Sequence, residues 1–346
     1  MIKPIFYLIS HYKKEKKLKT TYKSSGVNID KGEELVQRIK KNVRSTFTKN
    51  VLKDIGHFGA FYKADFKKFK NPILVSSVDG VGTKLKIALI QKKYDSIGED
   101  LVNHCVNDIA VCGATPLFFL DYFATGKLNP TIAEKVINGF AKACKENNCS
   151  IIGGETAEMP GFYSGEDFDI AGTIVGVVDK NKIVDGKKIK KGNILIGLPS
   201  NGLHTNGYSL ARKVLVNKIS LNKKFSELNN SLGDELLKVH KSYLKQIKIL
   251  TNKNLANGFS HITGGGLVGN TMRIIPKNLK LKIDWLAWQR PFIFDLIQTV
   301  GQVPEHEMAR AFNLGIGLVI VASKNNASKI LNLLKKENPI VIGEVV

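Results

Sequence analysis

The chain alternates between short runs rich in β-branched and aromatic residues and longer segments with helical periodicity, and this alternation restricts the fold more than any other feature. The strand-like runs cover residues 72–78, 116–123, 150–152, 170–178, 194–198 and 314–321. The helical segments cover residues 98–112, 130–146, 208–216 and 232–250. Strands and helices that follow one another along the chain predict an α/β fold of the α+β type, built on mixed sheets.

A chain of 346 residues has room for two domains. Between residues 178 and 193 the composition changes to Asp, Lys and Gly, which is typical of a domain boundary. We therefore predict an N-terminal domain over residues 22–180 and a C-terminal domain over residues 181–346. Residues 1–21 include a dense lysine run, and we expect them to form a mobile basic extension.

The chain is strongly basic, with 52 Lys and Arg against 30 Asp and Glu and a formal net charge of +22. Only six of these cations are Arg, the residue that reads base edges through two parallel hydrogen bonds, so the composition argues against a nucleic-acid partner. No apolar run approaches the ~18 residues of a membrane span. The four cysteines fit no zinc-binding spacing. These features predict a cytoplasmic protein without a membrane partner.

The first motif with chemical content follows a strand-like run and reads Asp79-Gly80-Val-Gly82-Thr83-Lys84. Glycines allow backbone N–H groups to approach an anion, and the lysine after them can contact phosphate oxygens. Asp79 would then hold a magnesium ion against the same phosphates. The spacing is not that of a P-loop. The alternative interpretation is an ordinary strand-to-helix turn with Asp79 as its cap.

Further carboxylates interrupt apolar segments, where a core would not place them. Asp108 shares the apolar face of its helix, with His104 four residues before it. Asp121 interrupts an apolar strand, and Glu155 follows a Gly-Gly turn together with Glu158. Because an unpaired buried carboxylate costs several kcal/mol, converging carboxylates predict bound cations. Oxygen-only ligation favours Mg²⁺ and a nucleoside triphosphate. The alternative is that backbone N–H groups satisfy each carboxylate separately.

The second half of the chain contains two candidate substrate segments. His204 and Asn206 lie where a strand leads into a helix, and His204 is a candidate proton acceptor because its ordinary pKa lies near neutrality. A capping turn with an incidental histidine is the alternative. The run Thr263-Gly264-Gly265-Gly266 precedes a helix and predicts an anion site, for example for a sugar phosphate.

One pattern in this region also matches a dinucleotide-binding fingerprint. Gly264, Gly266 and Gly269 fit G-x-G-x-x-G, and Asp284 follows about twenty residues after the first glycine. The preceding residues 257–262 make a poor buried strand, and no parallel βαβ pattern surrounds them. An NAD-dependent oxidoreductase with a Rossmann unit is therefore a minor alternative.

Taken together, the motifs resemble the phosphoribosylformylglycinamidine cyclo-ligase (AIR synthetase) family of purine synthesis. The resemblance runs from residue 22 to the C-terminus. The matching motifs cover residues 22–30, 78–84, 106–109, 118–126, 153–161, 202–208 and 262–266. Relatives that share the Asp-Gly-x-Gly-Thr-Lys element include thiamine-monophosphate kinase and selenophosphate synthetase, which remain alternatives.

The resemblance implies a two-domain, ATP- and Mg²⁺-dependent ligase. Its N-terminal domain is expected to complete a barrel with the N-terminal domain of a second copy. The segment from residue 22 to Lys40 is expected to cover the nucleotide. ATP would phosphorylate an amide oxygen, and the neighbouring amine would then close the imidazole ring with release of phosphate. By hypothesis Asp79, Asp108 and Glu155 are the metal ligands. His204, Lys84 and Asp108 are the catalytic candidates, and Asn206 belongs to the substrate side.

Overall fold

The structure is a computed structural model that describes residues 20–346. The predicted mobile extension therefore lies outside the described residues, except for its last two positions.

The first of two main sheets has four strands: β1 (Pro72–Gly80), β2 (Thr115–Thr125), β3 (Ser150–Glu158) and β4 (Phe168–Asp179). Their order across the sheet is β1-β4-β2-β3, in which β2 and β3 are parallel and the other pairs are antiparallel. The side chains of β1 alternate between half-buried and exposed from Val75 to Gly80, because one face of the sheet is covered by helices and the other is not.

Four helices belong to this domain: α1 (Ile29–Arg44), α2 (Lys84–Gln91), α3 (Asp95–Ala110) and α4 (Pro130–Glu146). Helix α3 packs against the sheet, against α4 and against the C-terminal domain, and only three of its sixteen residues are not buried. Glycines allow the close crossing of α3 and α4. A Cβ at Gly98 would lie 2.1 Å from the Val136 carbonyl oxygen, and one at Gly139 would lie 2.3 Å from that of Asp95.

The second main sheet has five strands and lies entirely in the C-terminal half. Its strands are β5 (Ile194–Pro199), β8 (Gly258–His261), β9 (Leu281–Ile283), β10 (Ile316–Ala322) and β11 (Ile340–Val345), and β6 (Lys224–Phe225) and β7 (Asn230–Ser231) form a separate short pair. The order is β8-β10-β5-β11-β9, and every pair is antiparallel. All seven residues of β10 are buried, as expected for a strand flanked on both sides.

The helices of this half are α5 (Tyr208–Leu215), α6 (Leu232–Leu236), α7 (Leu244–Asn252), α8 (Gly266–Met272), α9 (Phe292–Gly301), α10 (Glu305–Ala311) and α11 (Lys324–Leu333). The continuous helix predicted over residues 232–250 is wrong, because the chain leaves the helical path between α6 and α7. There the backbone N–H groups of His240 and Tyr243 donate to Asp100 and Asn107 of α3, over 2.7 and 2.8 Å. These interdomain bonds replace the bonds of a helix.

The expectation of a poor strand before Gly264 is also wrong, since all four residues of β8 are buried. However, among residues 20–346 β8 pairs only with β10, and the pairing is antiparallel. A dinucleotide fold requires parallel strands at this point, so the second sheet excludes the Rossmann alternative. Asp284 instead accepts a hydrogen bond from the Leu286 N–H in a local turn.

The predicted mixed α/β fold with two sheet-containing domains is confirmed. The last strand of the first sheet ends at Asp179 and the first strand of the second begins at Ile194. The four-stranded sheet does not close into a barrel within one chain. Over residues 20–346, every helix is too short or too polar to cross a bilayer.

Candidate active site

The carboxyl groups of Asp79 and Asp108 come together at the interface between the two domains. Asp79 lies near the end of β1, and Asp108 lies in the last turn of α3, which packs on that strand. The Ser77 hydroxyl lies 3.3 Å from Oδ2 of each carboxylate. The side chains of Asp79 and Asp108 are 27% and 32% exposed, so a ligand can reach both from solvent.

The two carboxyl groups differ in acidity because their surroundings differ. Burial, together with the adjacent Asp108, raises the pKa of Asp79 to about 7. Burial alone would also raise the pKa of Asp108, but contacts with His261 and His104 hold it below its ordinary value. At neutral pH, Asp108 is therefore the ionised member and Asp79 is divided between its two forms.

Four of the seven histidines of the chain surround this pair. They are His104 of α3, His204, His240 and His261 of β8, and their rings are in mutual contact. His261 donates from Nδ1 to Asp108 Oδ1 over 2.7 Å, and His104 Nε2 lies 3.5 Å from Asp79 Oδ1. Burial lowers the pKa of His104 to about 4. It lowers the pKa of His204 and His240 well below the ordinary value, so all three rings are neutral.

A polar stripe on α3 holds the C-terminal domain in place. Asp100, Asn103 and Asn107 recur at helical spacing on one face of this largely buried helix. The amide groups of Asn103 and Asn107 donate to the backbone carbonyls of His240 and Lys241, over 2.8 and 2.9 Å. Because the bond between Asn103 and His240 is buried, the stripe fixes where His240 lies relative to the carboxyl pair.

The side chain of Lys84 lies buried beside Asp100, whereas the sequence predicts it against the phosphate oxygens of a nucleotide. Its side chain has no exposure, and Nζ lies 2.8 Å from Asp100 Oδ2. Nζ also donates to the backbone carbonyls of His204 and Lys238, over 3.2 and 2.7 Å. An ammonium group has three donors, and all three are used here. In this structure Lys84 therefore joins the two domains and has no donor left for a nucleotide.

Three other residues of this motif, at the end of β1 and in the turn that follows, are accessible. Gly80, Gly82 and Thr83 are exposed, and Gly82 has a left-handed φ of +60°, which glycine adopts without strain. The Thr83 hydroxyl lies 3.1 Å from the Ser209 hydroxyl of the C-terminal domain. This turn can therefore offer backbone N–H groups to a ligand beside Asp79.

Glu155 does not reach the carboxyl pair within one chain. The register aligns Asp79 with Gly172, Asp121 and Gly154 across the sheet. Glu155 is the next residue on β3, so its side chain belongs to the opposite face. It also lies three strand spacings away, about 14 Å. Within one chain Glu155 therefore lies apart from Asp79 and Asp108, and the role of all three as metal ligands stays a prediction.

Two further predicted residues have other surroundings in the structure. Lys40 of α1 lies 3.2 Å from Asp54 Oδ2, and its role toward a nucleotide stays a prediction. Asp121 lies between Gly172 and Gly154 on the neighbouring strands. Burial raises the pKa of Asp121 to about 7. For Glu158 the alternative holds, in which backbone N–H groups satisfy a carboxylate separately. Its carboxylate accepts hydrogen bonds from the backbone N–H groups of Asn28 and Leu128.

His204 is buried, which differs from its predicted role as an accessible proton acceptor. Only 1% of the residue is exposed, and its backbone φ is +62°. The ring stacks on that of His240 at 4.1 Å, and within residues 20–346 neither ring nitrogen has a hydrogen-bond partner. In this structure His204 packs against other side chains and does not face a ligand.

The two predicted substrate segments lie side by side. A Cβ at Gly264 would lie 3.3 Å from Asn206 Oδ1. The N–H of Gly265 donates to the Arg310 carbonyl over 3.0 Å, and that of Gly266 to the Thr263 carbonyl over 3.2 Å. Two of the three glycine donors predicted for an anion are therefore already used. Gly264 and Gly265 are exposed, and Asn206 and Thr263 are half-buried.

Sequence reasoning missed His240, His261, Asp100 and Asn107 as site residues. The stripe on α3 carried a usable signal, because polar residues at positions 100, 103, 104, 107 and 108 repeat with the period of a helix. His240 was missed because the sequence predicted a continuous helix over residues 232–250, which includes it. His261 lies three residues before Gly264, in the strand whose burial was underestimated.

Comparison with known proteins agrees with the predicted family. The N-terminal domain model described as "AIR synthase related protein" matches residues 66–178, and the corresponding C-terminal domain model matches residues 190–346. The phosphoribosylformylglycinamidine cyclo-ligase of Thermodesulfovibrio yellowstonii is 50% identical over 92% of this chain and 93% of its own. The same enzyme of Thermoanaerobacter pseudethanolicus is 50% identical over 94% of this chain and 97% of its own. The chain belongs to the phosphoribosylformylglycinamidine cyclo-ligase family. The predicted ligase class is thereby confirmed.

Solved structures show the same fold at lower identity. Thiamine-monophosphate kinase from Stenotrophomonas maltophilia K279a has a TM-score of 0.66 at 15% identity, over 89% of this chain and 93% of its own. The hydrogenase maturation protein HypE in complex with ATP has a TM-score of 0.63 at 18% identity, over 93% of this chain and 87% of its own. At such identities the likeness concerns the fold alone.

Proposed function

We propose that this ligase cyclises formylglycinamidine ribonucleotide to aminoimidazole ribonucleotide with ATP, in the purine biosynthesis of the cytoplasm. The 50% identity to named cyclo-ligases over nearly the whole chain carries this proposal. ATP as the phosphoryl donor is supported by a structural neighbour that binds ATP in its crystal. The thiamine-monophosphate kinase alternative has only a fold-level likeness at 15% identity.

Asp79 and Asp108 are the residues that we propose to hold Mg²⁺. Their carboxylate oxygens converge and are accessible, and carboxylates with phosphate oxygens are the ligands that Mg²⁺ prefers. Bound there, Mg²⁺ would neutralise charge on the phosphates. Within the chain, Asp108 supplies the ionised group, and Asp79 loses its proton when a cation approaches. The exposed turn at Gly80, Gly82 and Thr83 would direct backbone N–H groups to the same phosphates.

The reaction needs a good leaving group, because an amide oxygen departs poorly. Transfer of the γ-phosphoryl group of ATP to that oxygen forms a new P–O bond and releases ADP. The neighbouring nitrogen then forms the C–N bond of the ring, and the oxygen leaves with inorganic phosphate. Phosphoryl transfer depends mainly on positioning and charge stabilisation, and Asn206 and Gly264 lie where they can orient the substrate.

We also propose that two chains associate through the uncovered face of the first sheet. On this face Leu74, Val78 and Tyr122 are 60%, 65% and 38% exposed. An apolar sheet face of this kind is normally covered, and a second copy of the same sheet would cover it face to face. Glu155 lies on this face beside Tyr122, so its predicted role would belong to the dimer.

The direct test measures ADP release that depends on formylglycinamidine ribonucleotide. With ¹⁸O in the amide group of the substrate, the label should appear in inorganic phosphate. Label that remains in the organic product would contradict the O-phosphorylated intermediate. ATP hydrolysis that does not depend on formylglycinamidine ribonucleotide but does depend on thiamine monophosphate would favour the kinase alternative.

A further inference from the structure

A continuous series of side-chain contacts links the two carboxylates through the C-terminal domain. We call it the histidine chain, and it consists of His261, His240, Thr205 and His104. His261 Nε2 lies 2.8 Å from His240 Nε2. The Thr205 hydroxyl lies 3.2 Å from His240 Nδ1 and 2.9 Å from His104 Nδ1. With the contacts of His261 to Asp108 and of His104 to Asp79, the series runs from one carboxylate to the other.

The protons of the histidine chain can be assigned from its geometry. An ionised carboxylate only accepts, so His261 donates from Nδ1 to Asp108. One of the facing Nε2 atoms of His261 and His240 donates and the other accepts, and we take His240 as the donor, so that it accepts at Nδ1. In this arrangement the Thr205 hydroxyl donates to His240 and accepts from His104 Nδ1. All hydrogen bonds then point in one direction, and His104 Nε2 keeps a free lone pair toward Asp79.

The histidine chain crosses between the domains at both of its ends. Asp108 and His104 lie on α3, whereas Thr205, His240 and His261 lie in the C-terminal domain. Thr205 is the residue between His204 and Asn206, and His261 lies two residues before Thr263. Movement of either proposed substrate segment must therefore move a member of the chain, because each contact tolerates only a few tenths of an ångström.

We propose that Thr205, His240, His261 and His104 are positioning residues that hold the Asp79 and Asp108 carboxylates for the cation and couple their geometry to substrate binding. This inference rests on the proposed function for the identity of the cation and the substrate. The coupling acts in both directions, since a substrate that improves cation binding must itself bind better when the cation is present.

The same cluster could be interpreted as a transition-metal centre, since ligand atoms of His104, Asp108 and His261 lie within 4.8 Å of one another. Mixed imidazole and carboxylate donors suit Zn²⁺ better than Mg²⁺. However, both ring nitrogens of His261 and Nδ1 of His104 already have hydrogen-bond partners. A metal bound through His261 would have to break one of these bonds, so the geometry favours the hydrogen-bonded chain.

Thr205→Val tests the inference, because it removes the central hydroxyl and keeps the shape of a residue that is 7% exposed. Thr205→Ser retains the hydroxyl and is the matched control. The first measurement is the ¹⁵N spectrum of the histidine rings. We expect Nδ1–H on His261 and His104 and Nε2–H on His240 in the unmodified protein and in Thr205→Ser, and mixed tautomers in Thr205→Val.

The second measurement is the affinity for Mn²⁺, used in place of Mg²⁺ and followed by electron paramagnetic resonance. Thr205→Val should weaken Mn²⁺ binding three- to tenfold and should abolish the improvement that formylglycinamidine ribonucleotide produces. Thr205→Ser should restore both. In turnover, kcat should fall about tenfold, because the lost contacts position reacting groups. The KM for formylglycinamidine ribonucleotide at saturating Mg²⁺ should rise by about the factor that the substrate no longer contributes to cation affinity. If Thr205→Val does not fold, His240→Asn interrupts the chain at the next position.

Three results would overturn the inference: unchanged Mn²⁺ affinity and substrate coupling in Thr205→Val, ring protons opposite to those assigned, or one equivalent of Zn²⁺ that removes the His104 and His261 N–H signals. The ring spectra and the Mn²⁺ affinity do not require turnover. If both behave as expected but no imidazole forms, the proposed function fails while the histidine chain stands.

Discussion

The Lys84 ammonium lies 2.8 Å from Asp100 Oδ2, at a position where neither side chain has any solvent exposure. Lys84 belongs to α2 and Asp100 to α3, and both also bond to backbone groups of the C-terminal domain. This ion pair therefore stabilises the interface that forms the site.

Lys84→Met should lower the free energy of unfolding by about 3–5 kcal/mol, because it leaves the Asp100 carboxylate buried without its cationic partner. Urea unfolding measures the change. Lys86→Met is the control from the same helix, since Lys86 is 44% exposed and pairs with Asp167. It should cost less than ~1 kcal/mol. Equal costs for the two variants would contradict a structural role for Lys84.

Asp79→Asn and Asp108→Asn should each reduce substrate-dependent ATP turnover at least a hundredfold, because an amide oxygen binds Mg²⁺ more weakly than a carboxylate. Melting temperature should change little, since the amide fits the same space. The comparison is Asp295→Asn, at an exposed position in the first turn of α9. If either site variant turns over as fast as Asp295→Asn, the proposed cation site is wrong.

Asp121 should make a contribution to stability that is lost as the pH rises from about 4 to about 7. Burial raises the pKa of Asp121 to about 7 in the folded protein, above the ~3.9 of an unfolded chain. At this position the folded state therefore binds more protons than the unfolded state, and deprotonation costs folding free energy, about 1–3 kcal/mol. The buried rings of His104, His204 and His240 act in the opposite direction, because their pKa values are lowered in the folded protein.

Thermal unfolding at a series of pH values measures this effect. The comparison is with Asp121→Asn, which removes this titrating carboxyl without touching the cation site. The difference in stability between the two proteins should shift in favour of the variant as the pH rises from about 4 to about 7. A difference that stays constant over this range would contradict the raised pKa of Asp121.

Gly317→Ala should lower the free energy of unfolding by several kcal/mol. A Cβ there would lie 2.0 Å from Tyr243 Oη and 2.7 Å from His204 Cε1, so the substitution pushes both rings out of place. Gly269→Ala in α8 is the opposite case. Its Cβ would meet nothing within 4 Å, and alanine should stabilise the helix by ~0.5–1 kcal/mol. Relative to the unmodified protein, the urea midpoint should fall in Gly317→Ala and rise in Gly269→Ala.

Val78→Asp should convert the dimer to a monomer, because it places charge on the apolar face proposed for the second copy. Light scattering after size-exclusion chromatography gives the mass directly. Ile249→Asp also introduces a carboxylate at an exposed apolar position, on α7, where 40% of the residue is accessible. It should leave the mass unchanged, and a Val78→Asp protein of dimeric mass would contradict the proposed interface.

Local patterns predicted the four strands of the first sheet, two strands of the second and helices α3, α4 and α5, because these patterns depend on neighbours in sequence. Helix α4 begins at Pro130, after an Asn129 cap, and ends at Glu146 as its periodicity predicts. The strand ends differ by one or two residues, except at β3, which continues to Glu158 instead of ending at residue 152. The error between α6 and α7 has a nonlocal cause, since the backbone of 237–243 bonds to Asp100, Asn103 and Asn107, more than 130 residues earlier.

The site was predictable in part for the same reason. Asp79 and Asp108 stood out because carboxylates interrupt apolar segments, and the structure brings them together. The motif could not show that Lys84 turns inward, because that depends on Asp100, whose burial follows from the tertiary packing of α3. For Glu155, sequence could not reveal that its strand lies at the far edge of the sheet.

The polar stripe on α3 has a consequence for how the protein can be divided. If the chain were cut between the two sheets, Asp100, Asn103 and Asn107 would lose their acceptors and donors in the other half. The helix that carries them would also expose side chains that are buried in the intact protein. Neither half is then expected to persist alone, and heat or urea should melt both in one cooperative transition. The molecule has two domains by topology and a single unit of folding.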